Sequence, residues 1–181
     1  VVDKPSGILT IATEKDNDKE NNLYSALSKY VKKKNGNGKI FIVHRLDKDT
    51  SGIVVFAKSE RVKESLQNTW DYTERNYIAV VHGITKDKDT IKSYLKETKT
   101  LYTYSTNDKS GKYAETSYVR VKSNKQYSLL KINIKTGRKN QIRVHMKDNN
   151  TPILGDRKYS KKDGYRKMML LANEIKFIHP I

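Results

Sequence analysis

Hydrophobic positions along this chain come in short runs separated by polar, Gly-containing segments, and they repeat with two periods. Val1-Val2 and Ile8 to Ile11 flank Asp3-Lys4-Pro5-Ser6-Gly7, which reads as a turn between two short strands. Residues 13 to 22 form a polar, mixed-charge loop. Leu23, Ala26, Leu27, Tyr30 and Val31 follow the spacing of an amphipathic helix, with Asn22 as its N-cap, and the Lys, Asn and Gly residues of 32 to 39 end it. Ile40 to Val43 and Ile53 to Ala57 predict strands on either side of a charged loop. Ser59 then caps a second helix in which Val62, Leu66 and Trp70 share one face, so Trp70 reads as core. Tyr77 to Val81 is a strand ending at His82-Gly83, and Thr90 to Tyr104 a weaker pair of strands. Glu115 to Lys122 and Tyr127 to Lys135 alternate cleanly around Ser123-Asn124-Lys125-Gln126, the pattern of a hairpin. Thr136-Gly137-Arg138 turns into a short helix over Gln141 to Asp148, Pro152 to Gly155 turns again, and Met168 to Ala172 and Ile175 to Ile178 predict the last strands. Many strands without a regular βαβ alternation predict an α+β fold with a mainly antiparallel sheet.

Composition sharpens this picture in two ways. The 181 residues suffice for one domain with a real core or for two small lobes, and low mean hydropathy (−0.82) is offset by the clustering of the apolar positions. Lys and Arg number 37 against 20 Asp and Glu, a net charge of +17. Such an excess suits a polyanion, whose binding releases condensed counterions. A Lys-rich solvated surface fits the same number. The lack of Cys excludes a disulfide framework and thiolate chemistry, and suits a cytoplasmic protein. No apolar run approaches the roughly 20 residues of a membrane span, and no signal peptide opens the chain. Val1 opens within a strand and Ile181 follows another, so flanking segments are expected beyond both ends.

Chemistry concentrates in the loop between the second pair of strands. Arg45, Asp47, Thr50, Ser51 and Gly52 supply a guanidinium, a carboxylate, two hydroxyls and a residue free to take unusual backbone angles. A scaffold presents a reactive carboxylate in this way, and Asp47 is the candidate. Asp47 and Asp49 could instead hold a divalent metal, but Lys48 separates them and no third acid stands nearby; Asp49 reads as surface. His44, His82, His145 and His179 lack metal-ligand spacing, which favours packing or hydrogen-bonding roles. Ser110-Gly111-Lys112 lacks the rest of a phosphate loop and reads as a turn. Near the Gln141 helix, Arg138 and Arg143 with the helix N-terminus could receive a phosphate or carboxylate; by composition alone another basic patch fits as well. Their separation exceeds one helical turn, so a shared target does not follow. Tyr77 by itself would be core.

His44-Arg45-Leu46-Asp47 followed by Thr50-Ser51-Gly52 resembles the signature of the RluA-type pseudouridine synthases, the large-ribosomal-subunit enzymes. The likeness continues in order: Lys4-Pro5-Ser6-Gly7, Tyr77 with Val81 and Gly83, Thr136-Gly137-Arg138 with Gln141-Ile142-Arg143-Val144-His145, Pro152 to Asp156 with Tyr159, and His179-Pro180. It departs at Asn140, where the family usually has His, and at Asn149-Asn150-Thr151, which replaces a Gly-His.

The resemblance implies a single catalytic domain over residues 1–181, with a mainly antiparallel sheet in two halves and the site in a cleft between them. It implies Asp47 as nucleophile, Tyr77 as active-site tyrosine and Arg143 as the cation paired with the aspartate. His44, Arg45, Thr50, Ser51, Gly52, Arg138 and Gln141 are the implied RNA-binding residues. No metal or organic cofactor is implied, and no S4-type accessory domain is visible. The expected partner is RNA, at a uridine in a loop or distorted region, acted on by a monomer without a membrane. The competing expectations are a non-catalytic RNA-binding module of the same fold, and a glycosidic hydrolase for which no second acid is well placed.

Overall fold

Local signals decide where the helices begin. In the computed structural model, which describes residues 1–12 and 20–180, the Asn22 side chain accepts from Ser25 N–H and opens α1 (Leu23–Asn35). The Ser59 hydroxyl does the same for Val62 N–H at the start of α2 (Glu60–Asn68). Gly36, at φ 60°, follows the end of α1. Most of the polar loop expected at 13 to 22 lies outside the described residues.

The chain packs as two compact units, one formed by 1–73 with 175–181 and the other by 74–174. In the first, β1 (Val2–Lys4) pairs antiparallel with β3 (Ser51–Val54), and β2 (Phe41–Ile42) with β4 (Phe56–Ala57). Val43, Val55, Ala57 and Leu66 form its core, with Trp70 packed against them. Trp70 is core as expected, although α2 stops at Asn68 and the Trp lies in the following 3-10 turn.

Ile8 to Ile11 do not form the expected strand, because their carbonyls serve a helix end. Leu9 and Thr10 accept from the N–H groups of Leu23 and Tyr24, two donors that the first turn of α1 cannot satisfy itself.

The second unit is built on β5 (Glu74–His82), β6 (Lys88–Glu97), β7 (Thr103–Thr106), β8 (Lys112–Ser123) and β9 (Tyr127–Ile134), joined at its edge by β10 (Leu170–Lys176), whose last residues belong to the first unit. The order is β10-β5-β9-β8-β6-β7, and the pairs β5–β9, β8–β9, β6–β8 and β6–β7 are antiparallel. Alternation along β9 buries Ser128, Leu130, Ile132 and Ile134, and α3 (Gln141–Asp148) adds Ile142 and Met146 to the same core. β10 is one strand where two were expected. Asn173-Glu174 reads as a break, yet Glu174 lies within the strand and accepts from the Asn76 amide at 2.7 Å.

The fold is thus α+β with mainly antiparallel pairing and three α-helices among the described residues.

Candidate active site

Asp47 stands in a loop whose backbone is laced to the segment from Lys4 to Thr10. The Thr10 hydroxyl donates to Leu46 O and accepts from Leu46 N–H, at 3.0 and 3.1 Å. Ser6 donates its hydroxyl proton to Asp49 O, and Gly7 N–H donates to Lys48 O. Lys4 completes the lacing. Its side chain is fully buried, and its ammonium donates to the carbonyls of Pro5, Ile8 and Lys48 at 3.0, 2.7 and 2.9 Å. Burial pushes this ammonium down to about 8, against the opposing pull of the Asp49 and Asp47 carboxylates. The backbone on both sides of Asp47 is therefore fixed before any ligand arrives, with a cation beneath it. Sequence reading placed Lys4 only in a turn; the signal was its position in the Lys-Pro-Ser-Gly motif.

The rest of the loop divides by exposure. Arg45 is exposed, Asp47 half-buried and Thr50 buried. Gly52, at φ 113°, opposes Lys4 across the β1–β3 pair, a conformation that a side chain would resist. His44 accepts from Val55 N–H through Nε2 and stacks on Trp70 with ring centroids 4.7 Å apart, so its ring joins the loop to the core.

Tyr77 and Arg143 lie in the other unit. Tyr77, on β5 opposite Ile132 of β9, is half-buried against the core. Arg143 is buried on α3, with its Nε and Nη2 donating to the two carboxylate oxygens of Asp156 at 2.8 and 2.7 Å. Its Nη1 donates to Asn140 Oδ1, and the guanidinium lies 5.1 Å from the Tyr159 ring centroid. Asp156, which sequence reading placed only in a motif, thus sets the orientation of Arg143.

Arg138 and Arg143 do not share a target. Arg138 is exposed and donates from Nε to Tyr113 O. Gln141, an expected substrate contact, fills all four places of its amide within the protein. Its oxygen accepts from the Thr136 hydroxyl and Arg138 N–H, and its nitrogen donates to Glu115 O and Thr116 Oγ1. Its part is to hold the turn that carries Arg138.

His44, His82 and His145 take hydrogen-bonding and packing roles. His145 is fully buried between Thr116 Oγ1 at 2.9 Å and Ser93 Oγ at 3.0 Å. Burial pushes it down to about 4 from the ordinary 6.5, with Asp148 pulling the other way. The unfolded chain therefore takes up a proton that the folded one refuses. This contribution to stability is intact above pH 6.5 and is lost as the pH falls from 6.5 towards 4, at most about 3 kcal/mol. Urea unfolding of wild-type and His145→Asn proteins from pH 7.5 to 4 is expected to show the gap between them closing over that window. A constant gap would assign the acid sensitivity to other groups. Among the described residues no cluster of three or more His, Cys, Asp or Glu could hold a metal ion.

Comparison with known proteins decides the family. Residues 1–148, from the Lys4 motif through the whole of α3, match the family described as RNA pseudouridylate synthase. The chain belongs to that family. An uncharacterized RNA pseudouridine synthase of Mycoplasma genitalium is 33% identical over 190 residues, covering 99% of this chain and 59% of the relative. The ribosomal large subunit pseudouridine synthase D of Borreliella burgdorferi is 40% identical over 134 residues, 72% of this chain and 41% of the relative. The human RNA pseudouridylate synthase domain containing 4 shares the fold, with a TM-score of 0.80 at 20% identity over 96% of this chain and 78% of that one. The chain spans about half to three-fifths of the length of such curated relatives.

Two departures from the pseudouridylate synthase pattern have a local explanation. Asn140 sits at φ 55°, a left-handed conformation that Asn tolerates better than most residues. It accepts from Arg143 and donates to Thr103 Oγ1, so an amide does the positioning here. Asn150, at φ 59°, closes α3: its N–H donates to Lys147 O and that of Thr151 to Met146 O, the pairing that a glycine usually allows at a helix end.

Proposed function

We propose that this chain isomerises a specific uridine of structured RNA to pseudouridine. The observation that carries this reading is the Asp47 loop, a half-buried carboxylate in a backbone clamped on both sides, in a chain of the pseudouridylate synthase family. The bond between N1 and ribose C1′ breaks, the base turns, a bond forms from C5 to C1′, and the C5 proton leaves to solvent while N1 gains one. An ionised carboxylate is needed to add to the nucleotide or to drive deprotonation of its sugar, and Asp47 fills that role. Arg143, held in one orientation by Asp156, provides the cation that the carboxylate needs. Tyr77 provides the wall against which the freed uracil turns, and its hydroxyl carries the C5 proton.

The target nucleotide must leave its stack, and exposed Arg45 fills the vacancy. His44 and the Thr50-Ser51-Gly52 segment shape the loop around it, and Arg138 meets a phosphate. Ribosomal RNA is the preferred substrate, since relatives named for the large ribosomal subunit reach 40 and 37% identity, against 32% for one named for transfer RNA. The protein acts as a cytoplasmic monomer in this reading.

The test is tritium release from 5-tritiated uridine in ribosomal and transfer RNA transcribed in vitro, and so unmodified. Release that follows enzyme concentration, with no free uracil formed, is the expected result. Tight binding of both RNAs without release would leave only an RNA-binding module, and free uracil would indicate a hydrolase.

A further inference from the structure

Residues 157–167 read Arg-Lys-Tyr-Ser-Lys-Lys-Asp-Gly-Tyr-Arg-Lys, six cations against one carboxylate, and lie beyond the segment that matches the family. Four of these cations, Arg157, Lys161, Lys162 and Arg166, line a concavity of about 570 Å³ together with Tyr165 and the Asp156 and Asp163 carboxylates, within the range of roughly 300–1,000 Å³ that small-molecule and cofactor sites occupy. We propose that this concavity is a second RNA subsite, in which Arg157, Lys161, Lys162 and Arg166 hold backbone phosphates and Tyr165 stacks on a base. The inference rests on the RNA-modifying reading above but concerns a different surface.

Three observations support it. First, the two carboxylates of the lining are turned inward. Asp156 accepts from Arg143 and from the N–H groups of Lys158 and Tyr159, and Asp163 accepts from Gly155 N–H, Tyr165 N–H and His82 Nε2. The four cations therefore form no ion pair among the described residues. Other exposed cations of this unit, Lys112, Lys122, Lys125 and Lys131 among them, also form no ion pair among the described residues, and what sets these four apart is that they line one concavity. Uncompensated charge in a concavity concentrates the field that draws a phosphate chain.

Second, the loop is fastened at two points. Gly155 sits at φ 72° with its α-carbon so close to Lys167 O that a Cβ would approach it to 2.1 Å, and Asp163 ties the loop to the end of β5 through His82. Third, the aromatic ring is braced. Tyr165 is exposed and meets Tyr127 edge-on at 6.4 Å, and Tyr127 meets His82 edge-on at 5.8 Å. An exposed braced ring among cations is the arrangement that holds single-stranded RNA, where bases stack and phosphates pair.

The experiment is fluorescence anisotropy with a labelled 30-nucleotide RNA stem-loop carrying unpaired uridines, titrated from 50 to 300 mM salt. The proteins are wild type, Lys161→Ala/Lys162→Ala/Arg166→Ala, Tyr165→Ala, and Lys32→Ala/Lys33→Ala/Lys34→Ala. The last removes the same charge from the exposed end of α1. The first triple variant is expected to bind ten- to a hundredfold more weakly and to lower the salt slope by about two to three, roughly one per phosphate contact. Tyr165→Ala is expected to bind five- to tenfold more weakly with the slope unchanged, because stacking releases no counterions, and Tyr165→Phe to bind normally. The α1 variant is expected to change affinity less than threefold.

Equal losses in both triple variants, or no loss in the first, would overturn the subsite, as would displacement of the RNA by polyglutamate as readily as by unlabelled stem-loop. Tritium release by the wild type with binding unchanged in the subsite variants would sink this inference and keep the functional reading. Subsite-dependent binding without release would do the reverse.

Discussion

Asp47→Asn is expected to lower tritium release by on the order of a thousandfold or more, while RNA affinity stays within about twofold of wild type. The amide keeps the shape of the carboxylate, and of the clamp only the Lys4 ammonium feels the lost charge, since Asp47 helps to keep it protonated. Lys4, Ser6, Gly7 and Thr10 reach the loop through backbone groups of residues 46, 48 and 49, and none of these bonds uses the Asp47 side chain. An unchanged melting temperature is the control that separates loss of chemistry from loss of the loop. Disturbing the clamp instead gives a different signature. Lys4→Met removes the ammonium that joins three carbonyls, so thermal stability and turnover are expected to fall together. Turnover by the Asn variant within about tenfold of wild type would remove Asp47 from the chemistry and, with it, the reaction scheme built around that residue.

What could be read from the sequence follows the range of the interactions concerned. The caps at Asn22 and Ser59 and the span of α3 were legible because each rests on residues within one helical turn. The hairpin of β8 and β9 was legible because alternation and a polar turn fix it locally. Ile8 to Ile11 misled because the period of two carries no record of carbonyls used to cap a helix a dozen residues later. Asn173-Glu174 looked like a break because a polar pair in a strand can be satisfied by a partner 98 residues away. Motif order pointed to Asp47, Tyr77 and Arg143, the residues to which the proposed reaction assigns roles. It did not point to the groups that hold them. Lys4 acts on a carbonyl 44 residues away and Asp156 on a guanidinium 13 residues away, and neither contact has a periodic signature. Gln141 was legible as a motif residue but not as one turned wholly inward, since it takes the geometry of Thr136, Arg138, Glu115 and Thr116 to fill its amide.

Asp156→Ala is expected to be the most destabilising of the single changes. Asp156 and Arg143 keep only 1 and 6% of their side chains exposed, and their two parallel hydrogen bonds join α3 to the turn after Ile153. Removing the carboxylate takes two charge-assisted hydrogen bonds from a buried guanidinium and strands the N–H groups of Lys158 and Tyr159, a cost of about 3–5 kcal/mol or a fall in Tm of roughly ten degrees. The loss should change little between 50 mM and 1 M salt, since solvent ions do not screen a buried pair, whereas exposed pairs such as Lys86 with Asp89 respond to salt. Asp156→Asn separates position from stability. Its oxygen can still accept from the backbone, but its NH₂ would face a nitrogen of Arg143, so the guanidinium turns. If Arg143 serves the reaction by its orientation, this variant loses kcat by tenfold or more while KM stays near wild type. Adding Arg143→Met to either variant should then cost much less stability than it does alone, because the two residues act as one unit. Additive losses in that cycle would show that the two residues do not act as a unit, and an Asn variant with full kcat would show that the pair holds up the fold without positioning the cation.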